Sequence, residues 1–251
     1  MRPQVITALK VKDDKVVDVA GLTTWSGTVD IGKGQGVFGQ DCIWLYRTNT
    51  GGSETHMPDK YLVSDRSDIW AFGQSDFTLS FYFKISPDEG LPTPEDILCN
   101  KMPFFNMFTG ANKLWYITYW YNRSWFDFAL GHDRTWDYDQ NIDVTVSHED
   151  MANSQWHHIG WTRKSNMMYI FLDGVKKISK DIGEYDQYTS VQDKIGIGCY
   201  ENAGAHSNTL LDDFTLIKDY CMWEDSFELP KTYLINLVLN KKLINNLKTG
   251  N

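Results

Sequence analysis

The segment WHHIGWTRKSNMMYIFLDGVKKIS, residues Trp156 to Ser179, decides the fold. It reads as three consecutive β-strands. His157, Ile159 and Trp161 share one face at a period of two, and His158, Gly160 and Thr162 share the other, the pattern of a half-buried strand. Lys164, Ser165 and Asn166 make a polar turn. Met167 to Leu172 is apolar on both faces, which places it centrally in a sheet with cover above and below. Asp173-Gly174 is the dipeptide that best tolerates the positive φ angles of a two-residue hairpin, and Val175 to Ser179 returns antiparallel. Neighbours in a strand point to opposite faces, so His157 and His158 cannot chelate one ion together. His157, beside Ile159 and Trp161, reads as a hydrogen-bonded core histidine.

Strand signals recur on both sides of this segment. Val5 to Val11 and Val16 to Val19 flank a charged turn and form an N-terminal hairpin. The run from Gly21 to Gly39 contains Gly32, Gly34 and Gly36 at phosphate-loop-like spacing, but no Gly-Lys-Ser/Thr ending and no helix pattern follow. Cys42 to Tyr46 and Tyr61 to Ser64 are strands. In Phe77 to Ile85, residues Phe77, Leu79, Phe81 and Phe83 share one face. Leu114 to Phe128 gives two strands joined by residues 121–124, with Trp115, Ile117 and Tyr119 on one face and Tyr116, Thr118 and Trp120 on the other. Residues 131–150 are polar and loop-like, and 183–193 and 200–208 are further connections. Beyond Pro230, residues Leu234, Leu237, Val238, Ile244 and Leu247 recur at helix-like spacing, giving either a terminal strand with a loop or a short amphipathic helix.

Size and charge narrow the function classes. A chain of 251 residues fits one large all-β sandwich and buries a core without disulfides. A formal charge of −9 argues against nucleic acid and against an anionic membrane surface, since both attract basic proteins. No apolar run is long enough to span a bilayer. Lys10, Lys12, Asp13, Asp14 and Lys15 interrupt any secretory signal, so the chain is expected to be made in a reducing cytoplasm. Cys42, Cys99, Cys199 and Cys221 show no C-x-x-C spacing and are expected to stay free thiols. Asn122-Arg123-Ser124 matches a glycosylation acceptor only by chance on this reading.

Five pieces, in order, carry a family resemblance. Trp156 to Gly174 as quoted above, Phe77-Thr78-Leu79-Ser80-Phe81, Ile195-Gly196-Ile197-Gly198 and Leu211-Asp212-Asp213-Phe214-Thr215-Leu216 resemble the strand signatures of laminin-G-like domains. These belong to the concanavalin A-like lectin/glucanase jelly rolls. Met222 to Pro230 is similar to the ending of copies found in bacteriophage virion proteins. The resemblance implies an all-β, concanavalin A-like jelly-roll sandwich of two antiparallel sheets. It divides the chain into an N-terminal extension or strand (1–16), the jelly-roll domain (17–230) and a C-terminal extension (231–251) able to dock on a partner. In that family a Gly-rich run crosses the edge of the sandwich, a role open to residues 21–39.

The resemblance also frames the chemistry. Glucanases of this fold carry two or three carboxylates on one strand, as Glu-x-Asp-x-Glu, about 5 Å apart for retaining hydrolysis. Glu184-Tyr185-Asp186 lacks the last Glu and sits in a loop, and Asp212-Asp213 would face opposite sides of a strand. Catalysis is therefore not expected. The best binding candidates are aromatic rings among polar side chains: Trp120, Tyr121, Asn122, Arg123 and Trp125, then Trp136, Asp137 and Tyr138. Sugar C–H faces pack on such rings while amides and carboxylates orient the hydroxyls. The same rings also suit a sandwich core, and that alternative stays open. No cofactor is expected. Some laminin-G-like domains bind calcium at a rim, and Asp133, Asp137, Asp139 and Asp143 offer the oxygen chemistry without an EF-hand spacing. The expectation is a non-catalytic, lectin-like binding or decoration module of a phage-type virion, made in the host cytoplasm, contacting cell-surface glycans and other virion subunits within an oligomer or larger assembly. The alternatives are a purely structural virion protein and a glycan-degrading hydrolase or lyase.

Overall fold

The computed structural model describes residues 3–45, 60–65, 68–85, 101–109, 112–120, 124–130, 140–151, 153–184, 194–199 and 209–238. In chain order the strands are β1 (Gln4–Lys12), β2 (Lys15–Asp18), β3 (Trp25–Thr28), β4 (Asp30–Gly32), β5 (Cys42–Leu45), β6 (Tyr61–Ser64), β7 (Phe77–Ile85) and β8 (Lys101–Thr109). They continue with β9 (Asn112–Trp120), β10 (Trp125–Leu130), β11 (Gln140–Thr145), β12 (His157–Lys164), β13 (Met167–Leu172), β14 (Val175–Asp181), β15 (Lys194–Ile197) and β16 (Thr209–Lys218). A short helix, α1, spans His148–Met151.

Two antiparallel sheets pack as a jelly-roll-like sandwich. One runs β14-β13-β12-β7-β16-β1-β2, with β5 beside β16 and β4 beside β5; the other runs β11-β10-β9-β8-β15-β6-β3. Residues 21–39 do cross between the sheets: β3 pairs with β6 in one and β4 with β5 in the other. The inner faces follow the period-two reading. Phe77, Leu79, Phe81 and Phe83 of β7 and Ile159 and Trp161 of β12 are all fully buried. They meet rings of the opposite sheet, Phe77 on Trp115 at 4.8 Å, Trp161 on Trp115 at 5.3 Å and Phe83 on Phe126 at 5.6 Å.

The opening segment folds as its residues dictate. Asp173 and Gly174 take φ of 52° and 75°, the left-handed pair of a two-residue hairpin. β13 is covered on both sides, yet it lies one strand in from the edge, with β14 outermost. Its second cover is not a strand of the sheet but the chain after β16. That strap crosses the outer face of the nine-stranded sheet: Thr78 and Thr162 hydroxyls donate to the carbonyls of Tyr220 and Trp223, both at 2.8 Å. Trp223 and Phe227 stack at 4.0 Å and pack edge-on against Phe171 of β13. The alternation is satisfied by a strap as well as by a sheet, which is why centrality does not follow from it.

Three further segments bear on the sequence reading. Residues 131–150 read as a loop, but β11 lies within them, its Ile142 and Val144 buried between polar neighbours. The stretch 1–16, expected as an extension or strand with an N-terminal hairpin, contains β1, which pairs with β2 and, through Gln4–Ala8, with β16, and buries Ile6, Ala8 and Leu9. The tail was expected as an extension able to dock on a partner, in the form of a terminal strand with a loop or a short amphipathic helix. Its described part is helical over 234–238 and buries Leu234 and Val238 against Ile217 of its own sheet. Residues 239–251 lie outside the described residues.

Candidate functional site

The β9–β10 hairpin sets the candidate site. Trp115, Ile117 and Tyr119 of β9 and Phe126 and Phe128 of β10 go into the core. The intervening residues therefore project from the outer face of the seven-stranded sheet. In the register Trp120 lies directly opposite Trp125, Thr118 opposite Asp127 and Tyr116 opposite Ala129. Directly opposed residues of antiparallel strands share a face, so the two indoles are neighbours. Both are half-buried. Ser124, immediately before Trp125, takes φ 53°.

Behind the indoles sits a buried carboxylate. Asp127 is 5% exposed, and its Oδ2 accepts the Tyr116 hydroxyl at 2.9 Å and the Trp120 Nε1–H at 3.4 Å. This fixes the Trp120 ring through its polar edge. β11 adds Asp143 and Thr145, both exposed, opposite Asp127 and Trp125. On the other side of Tyr116 lies Asn106 of β8, fully buried. The sequence pattern had put Tyr116 and Trp120 on one face, but it did not single out Asp127 or Asn106. A lone acid within the apolar run Trp125-Phe126-Asp127-Phe128 was the available signal.

Of the sequence-derived site residues, the structure brings Trp120 and Trp125 together. Tyr121, Asn122, Arg123, Trp136, Asp137 and Tyr138 lie outside the described residues. So do Asp133 and Asp139 of the acidic loop; Asp143 is on β11, exposed. Among the described residues no group of three His, Cys, Asp or Glu is arranged to hold a metal. Of the four cysteines, Cys42, Cys199 and Cys221 are free, and burial pushes the Cys42 and Cys199 thiols up to about 12; Cys99 lies outside the described residues.

His157 is a core histidine, 8% exposed, its Nδ1 2.8 Å from Asp173 Oδ2 and its Nε2 3.2 Å from Asn153 Oδ1. Asp173 thus serves both the turn and the histidine. His158 faces the strap, bonded to Ser80 at 2.9 Å, and burial pushes it down to about 3.

Asp212 and Asp213 overturn the opposite-face expectation. β16 changes partner here from β5 to β1, and a bulge with Asp213 at φ 50° takes up the extra residue. Both carboxylates consequently bond on the outer side. Asp212 Oδ2 accepts the Val37 N–H at 3.0 Å and Asp213 Oδ2 the Leu234 N–H at 2.7 Å. Burial pushes Asp212 up to about 6 and Asp213 to about 7. Asp212 Oδ1 accepts the Asp213 N–H at 2.8 Å and Asp213 Oδ1 the Thr215 hydroxyl at 3.4 Å, so the pair braces the fold.

The two sheets define a jelly-roll-like β-sandwich that carries an indole pair on one outer face. Neither a family model nor a curated protein matches the sequence. Among solved structures, the binding domain of Paraclostridial Mosquitocidal Protein 1 is similar at a TM-score of 0.61 and 18% identity, over 95% of this chain and 52% of that one. The binding domain of botulinum neurotoxin serotype G gives 0.60 and 16%, over 94% and 51%. That of botulinum neurotoxin DC, solved in complex with SialylT, gives 0.61 and 14%, over 94% and 51%. The chain spans about half the length of these structures. At such identities the likeness is one of fold.

Proposed function

We propose that this chain is a non-catalytic glycan-binding module, with the Trp120–Trp125 face as its sugar platform. The cross-strand indole pair, oriented by a buried carboxylate, carries the reading: two adjacent rings offer C–H stacking surface, and Asp143 and Thr145 offer hydroxyl partners beside it. Related folds support it, since one neighbour is solved with SialylT and botulinum neurotoxin type C needs two ganglioside molecules to enter cells. The laminin-G-like signatures and the phage-like ending, Met222 to Pro230, support a place on a phage-type virion, where the module would join other subunits.

The test is a glycan array followed by titration of the best ligand. Trp120→Ala and Trp125→Ala should each weaken binding while leaving the fold intact. A ring–sugar contact comparable to an aromatic pair, about 0.5–1.5 kcal/mol, corresponds to roughly 2- to 12-fold. Absence of any glycan ligand, together with incorporation into particles, would favour the purely structural virion reading. Turnover of a bound glycan would favour the hydrolase or lyase.

A further inference from the structure

A cleft lies at the other end of the sandwich from the indole pair. Phe83, at the far end of β7, packs on Phe126 near the indole pair, whereas the residues just before Phe77 open onto a cleft of about 380 Å³. That volume falls in the range of small-ligand sites, roughly 300–1,000 Å³. Four segments form its walls: residues 74–76 before β7, Ser165 and Asn166 in the β12–β13 turn, Glu184 beyond β14, and Asp219 after β16.

The walls are tied to one another. Asp76 Oδ1 accepts the Ser165 N–H at 2.6 Å, and its carbonyl accepts the Asp219 N–H at 2.8 Å. The Gln74 amide donates to the Glu184 carbonyl at 3.2 Å. Arg163, 1% exposed, donates from Nε to the Ser165 carbonyl at 2.9 Å and from Nη1 to the Gly73 carbonyl at 3.1 Å. A cleft braced in this way pays little ordering cost when a ligand enters.

Its lining selects the ligand. Among the described residues its lining is amides, hydroxyls, carboxylates and one guanidinium, with no aromatic ring, which disfavours a flat apolar molecule. Among these residues acceptors dominate: Asp76, Glu184 and Asp219 bring three carboxylates against the guanidinium of Arg163, itself bonded to backbone carbonyls. A ligand rich in hydroxyl or ammonium donors fits, and an anionic group is repelled. We propose that this cleft is a saccharide subsite for neutral or amino sugars that rejects acidic ones. The ligand class rests on the glycan-binding reading above, but the site is separate from the indole pair.

Amide-resolved NMR titration of the full chain tests it with three probes: cellobiose, the disaccharide of glucosamine, and sialyllactose. The first two should shift the backbone amides of Ser75, Ser165 and Asn166, and sialyllactose should not. Ser75→Trp, which fills the cleft, should abolish those shifts. Asp219→Asn keeps the left-handed backbone available to Asn and should weaken binding about tenfold through loss of a charged acceptor. The proposal is overturned if no probe moves these amides, if sialyllactose binds there as well as the others, or if the shifts survive Ser75→Trp. Sugar shifts confined to the β9–β10 hairpin would sink the cleft while leaving the indole platform standing. Cleft shifts with a sugar-blind hairpin would do the reverse.

Discussion

Replacing Gly174 by alanine tests whether the strap is seated on the hairpin turn. Gly174 has φ 75°, and a Cβ there would lie 2.3 Å from the carbonyl oxygen of Phe227. Gly21 provides the control, with φ 71° and nothing within 4 Å of its Cβ position. Left-handed backbone costs a side-chain-bearing residue about 1–2 kcal/mol, partly offset by about 0.4–1 kcal/mol of unfolded-state entropy. Gly21→Ala should therefore cost about 1 kcal/mol. Gly174→Ala must also displace the Phe227 backbone, which breaks the Phe227 N–H bond to the Gly174 carbonyl at 2.8 Å. That adds about 1 kcal/mol. It also disturbs Phe227 on Trp223, His158 and Phe171, adding about 1–2 kcal/mol of ring packing. The total is about 3–4 kcal/mol. At about 2–4 °C per kcal/mol for a chain of this size, calorimetry should show Tm falling by about 6–16 °C for Gly174→Ala and about 2–4 °C for Gly21→Ala. Equal shifts in the two variants would mean that the strap does not rest on the turn.

The remaining expectations concern the carboxylate pair and the tail. Asp212 and Asp213 hold their protons up to about pH 6 and 7, against 3.8 in the unfolded chain. Their contribution is thus fully present below pH 4 and is lost as pH rises through 6–7. Asp213→Asn, facing Lys10, Tyr82 and Tyr233, should change Tm little at pH 4 and raise it above the parent at pH 8; a difference that does not grow with pH refutes this. His158, pushed down to about 3, acts in the opposite sense below pH 6.5, so the difference between variant and parent is the quantity to follow. Deleting residues 231–251 should lower Tm markedly, because Leu234, Ile235 and Val238 are buried and Asp213 loses its Leu234 N–H partner. An unchanged Tm would restore the tail to the role of an external docking segment.

Much of the fold is legible because period-two alternation and turn chemistry are local. Phe77 to Phe83, the β12–β14 hairpins and the faces of β9 follow from side-chain order alone. What is not legible is set by contacts distant in sequence. β11 hides Ile142 and Val144 among acids and amides, and only its pairing with β10 makes it a strand. The Asp212-Asp213 pair obeys strand alternation until β16 changes partner, an event that the two residues do not announce. At the candidate site, the ring pair was visible as Trp120 and Trp125, but the carboxylate that orients one of them was not. Asp127 looks like an ordinary charge until Tyr116 and Trp120 are seen to converge on it.

The strap covers the outer face of the nine-stranded sheet. On the nine-stranded sheet the outward polar side chains among the described residues include Thr78, Ser80, Tyr82, His158, Thr162, Asp212 and Asp213. Thr78, Tyr82 and Thr162 donate to strap carbonyls, and Asp213 accepts the N–H of Leu234. Asp212 holds the N–H of Val37, and Ser80 is bonded to His158 beneath Trp223 and Phe227. Even Gly160 follows this logic, since a Cβ there would press on the Trp223 ring at 3.3 Å. Burying so many polar groups is tolerable because most of their donors and acceptors are matched by the strap or by one another; the His158 Nδ1 is the exception among them. The buried carboxyls with raised pKa values, ordinarily a mark of an active site, are here a consequence of that burial. On the proposed glycan-binding reading, recognition falls to the half-buried Trp120–Trp125 pair on the other sheet and to the braced polar cleft at the far end.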